Sequence, residues 1–448
     1  MQSMLHQLNR VLAAQPWLAG YTKRIIPGAT TDLFFLQLST AVAVTLLPLF
    51  HLTVKNWTNG WLAFLGVVSL IGLVLTIKNR RELFPDWRSA VVVLAFALPI
   101  LAVVISQLLR GDWVWKYLDG PARFLLAAVA FLWLRGQKID FIRAFRVVCP
   151  LSIWFALVFV WIDPEPTKLW ANRFATSIAD TNTFGIQIVL LGFLSFMMLQ
   201  LHPPKSWPLK VLLASSVGVS AYLSVGSQTR TGWMALPFLG LVWLYAMRSQ
   251  WRKMVVTSSA MLAFLGAVVV SYPPVHQRVV SIYSELDDWV SGNNTDTSGG
   301  ARLGIWRAAI ELFKHRPLEG YGDYAQFKDS LDLPAVRAVA NDFAIDTIRN
   351  GPHNELLANA LRSGVLGILS VLGLYLLPLA VFWQGLKEST GFPRLANLMG
   401  IAVVVAYMVF GITLEVFNLK FSASFYGFLI AVLAAQGMSG WASTTKAS

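Results

Sequence analysis

The sequence predicts an all-α polytopic membrane protein: about twelve transmembrane helices, both termini on one side, and one large loop on the other. Three observations carry this. The 448 residues are 56% hydrophobic with a mean hydropathy of +0.58. Only 13% are charged, against about 25% in soluble domains. Apolar stretches of roughly 20 residues, the length that spans a bilayer core, recur from end to end.

The first six stretches lie near 32–52, 58–77, 88–108, 121–135, 144–163 and 184–201. Six more lie near 210–226, 231–247, 254–272, 363–383, 394–414 and 421–438. Residues 1–30 lack the apolar core of a cleavable signal peptide and carry scattered Arg10, Lys23 and Arg24, so they are expected to remain as a tail. Cys149 is the single cysteine and falls inside an apolar stretch, which leaves no disulfide framework and no cysteine-based metal site. The net charge of +13 is assigned to loops facing the cytoplasm, and no nucleic-acid partner is expected.

Basic residues set the orientation. With the N-terminus inside, KNRRELFPDWR, RGQKIDFIRAFR, HPPKSWPLK, RSQWRK and QGLKESTGFPR all face the cytoplasm. These segments and the tails hold about twice the Lys and Arg of the outside positions, leaving aside the long loop, which the rule exempts. Both termini are then cytoplasmic. Residues 1–272 carry helices one to nine, 273–352 form the large outer loop, and 353–448 carry helices ten to twelve.

The loop holds 8 Lys and Arg against 11 Asp and Glu. Its SGNNTDTSGG is polar and turn-forming. In ARLGIWRAAIELFKHRPLEGYG, Leu303, Trp306, Ile310 and Phe313 recur at helical spacing, with Arg302, Arg307, Glu311 and Lys314 opposite. Pro317, Gly320 and Gly322 stop that helix, which is expected to lie near the membrane surface.

Four outside arginines stand beside span ends: Arg173, Arg230, Arg302 and Arg349. Guanidinium is permanently charged and its planar fork suits phosphate. A snorkelling arginine is the alternative for each one singly. His353 follows Pro352, read here as the first helical position, which would put the ring in a first turn where the helix dipole disfavours imidazolium. A neutral ring can accept a proton as a general base, and the N–H groups of such a terminus can hold a phosphate. Leu357, Ala360, Gly364 and Gly367 share the histidine's face, letting a helix or substrate approach closely, and Arg362 points away. An interfacial histidine bonded to a neighbouring loop is the alternative. The other histidines show no metal-ligand spacing with it, and Asp112, Asp119, Asp163 and Glu165 read as solvated loop residues. Most tryptophans, among them Trp57, Trp61, Trp113, Trp115 and Trp170, fit interfacial belts.

HNELLANALRSGVLG resembles the signature of the O-antigen ligase and polymerase superfamily, with His353, Asn354, Gly364 and Gly367 at its positions. ARLGIWRAAIELFKHRPLEGYG is similar to the family's periplasmic segment, and RFATSIADTNTFG and SQTRTGW to its two upstream arginine elements. In the first of these, Asp180, Thr181 and Asn182 depart from the commoner Asn-Pro-Asn. The likeness runs over about residues 170–370. It implies a bacterial inner-membrane glycosyltransferase with its active site on the periplasmic face, which makes the large loop periplasmic. The implied donor is an O-antigen glycan on undecaprenyl pyrophosphate, and the implied acceptor is a sugar of lipid A–core. Attack would invert the anomeric centre, with His353 as base and Arg173, Arg230 and Arg302 on the pyrophosphate. Arg349, Asn354, Gly364 and Gly367 would support the site. No metal or other cofactor is implied. An O-antigen polymerase or a protein O-oligosaccharyltransferase would use the same donor. A lipid-linked oligosaccharide transporter would want its arginines in a central cavity and an inverted repeat, and a polysaccharide-binding scaffold would not need the histidine.

Overall fold

A computed structural model describes residues 2–76, 86–165, 173–271, 273, 276–277, 280 and 298–439. Trp170 and residues 291–297 of the polar stretch fall outside the described residues. The described secondary structure is helical, with only isolated bridges joining Thr176 to Pro164 and Ala179.

Two short helices, α1 (Gln2–Ala13) and α2 (Pro16–Ile25), precede the bundle. Then come α3 (Phe34–Leu49), α4 (Trp57–Thr76), α5 (Trp87–Arg110), α6 (Asp119–Gln137), α7 (Phe141–Ile162) and α8 (Thr181–Leu201). They are followed by α9 (Trp207–Ser227), α10 (Arg230–Met247) and α11 (Trp251–Ser271). The large loop contributes α12 (Ser298–His315), α13 (Pro334–Arg337) and α14 (Asp342–Ile348). The chain closes with α15 (Glu355–Glu388), α16 (Gly391–Thr413) and α17 (Lys420–Gly437).

A helix stands at each of the twelve expected positions. Among the described residues, eight helices are long and apolar enough to cross a membrane: α4 to α9, α15 and α16. The 16-residue α3 is apolar but shorter. The chain is thus a multi-pass membrane protein. In α8 and α16, 78% and 83% of the apolar window is buried inside the protein, against 33% to 44% in the other six. α17 is buried along nearly its whole length as well, so these three helices form the centre, and the other six spanning helices leave one side for lipid. Polar side chains tie the centre together, as expected where lipid cannot satisfy them. Gln187 Nε2 donates to Tyr407 Oη at 2.9 Å and to Ser422 Oγ at 3.2 Å, joining α8, α16 and α17.

The loop segment builds a second, smaller core. Ile305, Ala308, Ala309 and Leu312 of α12 are buried with Phe327, Leu331, Val336, Ala344, Ile345 and Ile348. This corrects the expected stripe: Ile310 is exposed, and Trp306 and Phe313 only flank the core. The helix turns its apolar face to protein partners. Leu361 belongs to this core too, so α15 begins in the outer module and continues into the bundle.

What separates its two parts is a break. Ser363 (φ −136°, ψ 21°) and Gly364 (φ +60°, ψ −147°) leave helical geometry. The Pro-Leu-Glu-Gly-Tyr-Gly turn fits against them: Val365 N–H donates to Pro317 O (2.7 Å), Tyr321 N–H to Leu361 O (2.6 Å), and Gly322 N–H to Arg362 O (2.9 Å). Each freed backbone group named here thus finds a partner, the condition for breaking a helix at membrane depth. The expected approach at Gly364 and Gly367 is therefore made by the chain itself. A Cβ on Gly364 would lie 2.4 Å from Leu318 O, and one on Gly367 would lie 1.9 Å from Asn359 O.

Gly364→Ala is expected to destabilise the purified protein by about 2 kcal/mol or more, because it combines a glycine-only conformation with that clash. Gly218→Ala, in the open middle of α9, serves as the neutral control. Equal melting of both variants in detergent would show that the break does not depend on glycine.

Candidate functional site

Glu415 follows α16 by two residues, and its side chain is only 9% exposed. Its Oε1 accepts the backbone N–H of His353 at 3.2 Å. Its Oε2 accepts the Tyr324 hydroxyl, Arg362 Nη2 at 3.2 Å and Asn418 Nδ2 at 3.2 Å. Arg362 Nη2 also donates to Tyr324 Oη at 2.7 Å, with its guanidinium 5.0 Å from that ring's centre. Burial lifts the Tyr324 hydroxyl well above its ordinary value, with Arg362 pulling against the rise and Glu415 adding to it. The hydroxyl therefore stays protonated and donates to the carboxylate.

Beside this network stands Glu355, buried at 1% exposure. Its Oε2 accepts Phe417 N–H at 2.9 Å and its Oε1 accepts Asn359 Nδ2 at 2.7 Å. The two carboxylates thereby pin residues 415–418 to the start of α15.

His353 differs in position from the sequence expectation. It precedes the N-cap Asn354, whose Oδ1 accepts Leu357 N–H at 3.1 Å, so neither Pro352 nor His353 lies in the helix. Its own φ is +49°, a left-handed backbone rare for a non-glycine residue. Gly351 at φ +113° makes the preceding bend, and a Cβ there would sit 2.1 Å from Glu415 Oε1. The segment Gly-Pro-His is thus wrapped around the carboxylate. Since the ring lies outside the first turn, the helix dipole is not what keeps it neutral. Burial pushes the imidazole below its usual 6.5, with Glu415 opposing and the charge of Arg302 adding to the fall.

Arg302 is half-buried on α12 and close enough to act on that ring. Arg173 Nε donates to Ser227 O at 2.8 Å, just before Arg230 opens α10. The neighbouring Thr231 hydroxyl bonds that of Thr413 at 2.6 Å, and Asn354 Nδ2 donates to Ile412 O at 3.0 Å. Arg173, Arg230 and His353 therefore come together around the end of α16. Arg349, four residues before His353, is exposed at the end of α14, 3.7 Å from Asp346. Asp180, at the position where the signature departs, caps α8 by accepting the N–H groups of Asn182 (2.8 Å) and Thr183 (3.2 Å). Among the described residues no group of three or more His, Cys, Asp or Glu could hold a metal ion.

Glu415, Glu355 and Tyr324 are not singled out by the motifs, and Arg362, expected to point away from His353, instead bonds the carboxylate that holds the histidine's backbone. Two signals were present. Glu355 and Arg362 stand seven residues apart, two turns on one helix face, and Glu415 is a lone acid in a short apolar connection, ITLEVFNLK.

A cavity of about 290 Å³ lies on the other side of Arg362, between α5, α6 and α15. Arg110 braces its wall, with Nη1 donating to Glu319 O at 2.6 Å and to Arg362 O at 3.2 Å.

Residues 215–372 match the family model described as O-antigen ligase. That span contains Arg230, Arg302, Tyr324, His353 and Arg362, whereas Arg173 and Glu415 lie outside it. An uncharacterized protein of Haemophilus influenzae is 22% identical over 381 residues, 82% of this chain and 90% of the relative. An O-antigen ligase of Escherichia coli is 23% identical over 46% of this chain and 48% of its own length. An O-antigen ligase of Salmonella typhimurium is 25% identical over 37% of this chain and 39% of its own. The alignments thus span less than half of either named ligase. The family-model match, over about a third of the chain, and these two ligases together support the O-antigen ligase family for this chain.

Proposed function

We propose that this protein is a glycosyltransferase of the bacterial inner membrane that moves O-antigen from undecaprenyl pyrophosphate to a sugar of lipid A–core on the periplasmic face. The observation that carries the reading is the gathering of His353, Arg173, Arg230 and Arg302 around the end of α16, beside the Glu415 network. The family-model match and the likeness to two O-antigen ligases support the ligase assignment.

In this reading the arginines hold the pyrophosphate and offset the negative charge that grows on it as the anomeric C–O bond breaks. The acceptor hydroxyl attacks from the opposite side, inverting the anomeric carbon, and gives its proton to the His353 ring. Glu415 fixes the histidine's backbone, and Arg362 and Tyr324 fix Glu415. Twelve spans, cytoplasmic termini and a periplasmic module at 273–352 belong to the same proposal, supported by the basic inside loops.

Orientation is tested with single cysteines. Arg230→Cys and His353→Cys should react with an impermeant thiol reagent in spheroplasts, and Lys138→Cys and Lys253→Cys should not. The native Cys149 is buried, so the background is low. Labelling of the second pair alone would invert the topology.

Arg230→Ala should slow transfer by about 2 kcal/mol, or roughly 30-fold, at normal protein levels. Arg230→Lys should recover only part of this, since a point charge lacks the fork. Full activity of the alanine variant would return Arg230 to a snorkelling role.

His353→Ala should lose about 10²–10⁴-fold in turnover while donor binding is retained. Because the imidazole sits below 6.5 in the folded protein, it is neutral at pH 7. Wild-type activity should fall only when the pH drops past that lowered value and the ring protonates. A variant whose donor affinity falls in step with its rate would make His353 a phosphate ligand instead of a base.

A further inference from the structure

The cavity between α5, α6 and α15 meets the steps above only through Tyr324 and Arg362, and its walls have a consistent chemistry. Five cationic side chains line it: Lys116 and Lys420 are exposed at the mouth, Arg123 and Arg362 are half-buried, and Arg110 lies further in with its side chain 6% exposed. Asp119 is shared between Arg123 (3.2 Å) and Lys420 (2.8 Å), Arg110 pairs with Asp112, and Lys116 makes no ion pair among the described residues. Asp323 is the other carboxylate on the wall. Positive charge is therefore in surplus at the mouth.

Further in, Asn359, Ser363 and Ser370 offer amide and hydroxyl groups. The floor is apolar, made by Pro99 and Val103 of α5 and Val371 and Leu374 of α15. Pro99 is eleven residues from Arg110, about 16 Å along a helix at 1.5 Å per residue, so the floor lies well inside the bilayer zone. A cationic rim, a polar middle and an apolar floor match an amphiphile whose headgroup is an anionic sugar. The volume of about 290 Å³ sits at the small end of ligand pockets, roughly 300–1,000 Å³. That suits one phosphorylated sugar and excludes a whole lipid.

His353, Arg173, Arg230 and Arg302 are absent from this wall. Arg362 joins the two regions, because it lines the cavity and bonds Glu415, whose other oxygen holds His353 N–H. We propose that the cavity is a second ligand site, for the anionic sugar headgroup of a membrane amphiphile, and that it seats the acceptor across Glu415 from the donor arginines. The acceptor role rests on the transferase reading; the binding site does not.

Full-length protein in neutral detergent would be titrated with bisphosphorylated lipid A, its dephosphorylated form, phosphatidylglycerol and free glucose 1-phosphate. The bisphosphorylated glycolipid should bind about tenfold or more tighter than each of the other three. Lys116→Glu and Val103→Trp should each weaken it by about tenfold and leave undecaprenyl pyrophosphate binding unchanged. Lys116 is exposed, so its variant decides the matter even if the tryptophan variant does not fold. Equal binding of phosphatidylglycerol would reduce the site to a general lipid contact, and equal binding of glucose 1-phosphate would remove the amphiphile. A glycolipid affinity indifferent to Lys116→Glu would overturn the site. Transfer assays separate the two readings. Lys116-dependent binding without transfer by the wild type would retire the transferase and keep the cavity. His353-dependent transfer with Lys116-independent binding would do the reverse.

Discussion

A carboxylate held away from water must be matched by donors, and Glu415 is matched from four directions at once. One donor is the backbone of His353, one is a tyrosine of the outer module, one is an arginine of α15, and one is an asparagine three residues along its own chain. Removing a partner from a buried, paired charge typically costs about 3–5 kcal/mol, far more than the pair contributes over apolar packing. The arrangement is therefore better understood as a constraint on geometry than as a source of stability. It makes the left-handed turn at His353 affordable and fixes which way that turn faces.

The broken α15 complements this constraint. A continuous helix would carry Arg362 and the start of α15 straight out of the bundle. The break at Ser363 and Gly364 lets the turn at 317–322 dock on the helix itself, through three backbone hydrogen bonds. Ser106 Oγ donates to Ser363 Oγ at 3.1 Å, and Arg110 reaches Arg362 O, so α5 closes the remaining side. The outer module is thereby tied to the bundle at the same residues that line the cavity. Tyr324, two residues beyond that turn, is delivered to Glu415 as a consequence.

Neutrality of the histidine shows how a correct expectation can rest on the wrong cause. A helix dipole acts on His353 only if the residue lies inside the first turn. The structure places it two residues before Glu355, beyond the Asn354 cap, and burial supplies the neutrality. The distinction has consequences: a dipole effect would survive rearrangement of the loop, whereas a burial effect is lost once the ring is uncovered.

By itself the sequence determined that the chain is helical and membrane-embedded, and roughly where each helix lies. Those properties come from apolar runs matched to bilayer thickness, a local signal that neighbouring chain cannot cancel. His353, Arg173, Arg230 and Arg302 stood out as candidates, because a polar or charged group beside a span end is conspicuous in so apolar a chain. Glu415, Glu355, Arg362 and Tyr324 were not legible as a set, since they sit up to 91 residues apart and only folding brings them together. The face of α12 was misread for a related reason. Its periodicity admitted two stripes, and the choice of Ile305, Ala308 and Leu312 over Ile310 was made by the partners on α14 and the turn after it. The break in α15 likewise needed the 317–322 turn to occupy it. Where a side chain's partner lies far along the chain, only the tertiary structure could decide its role.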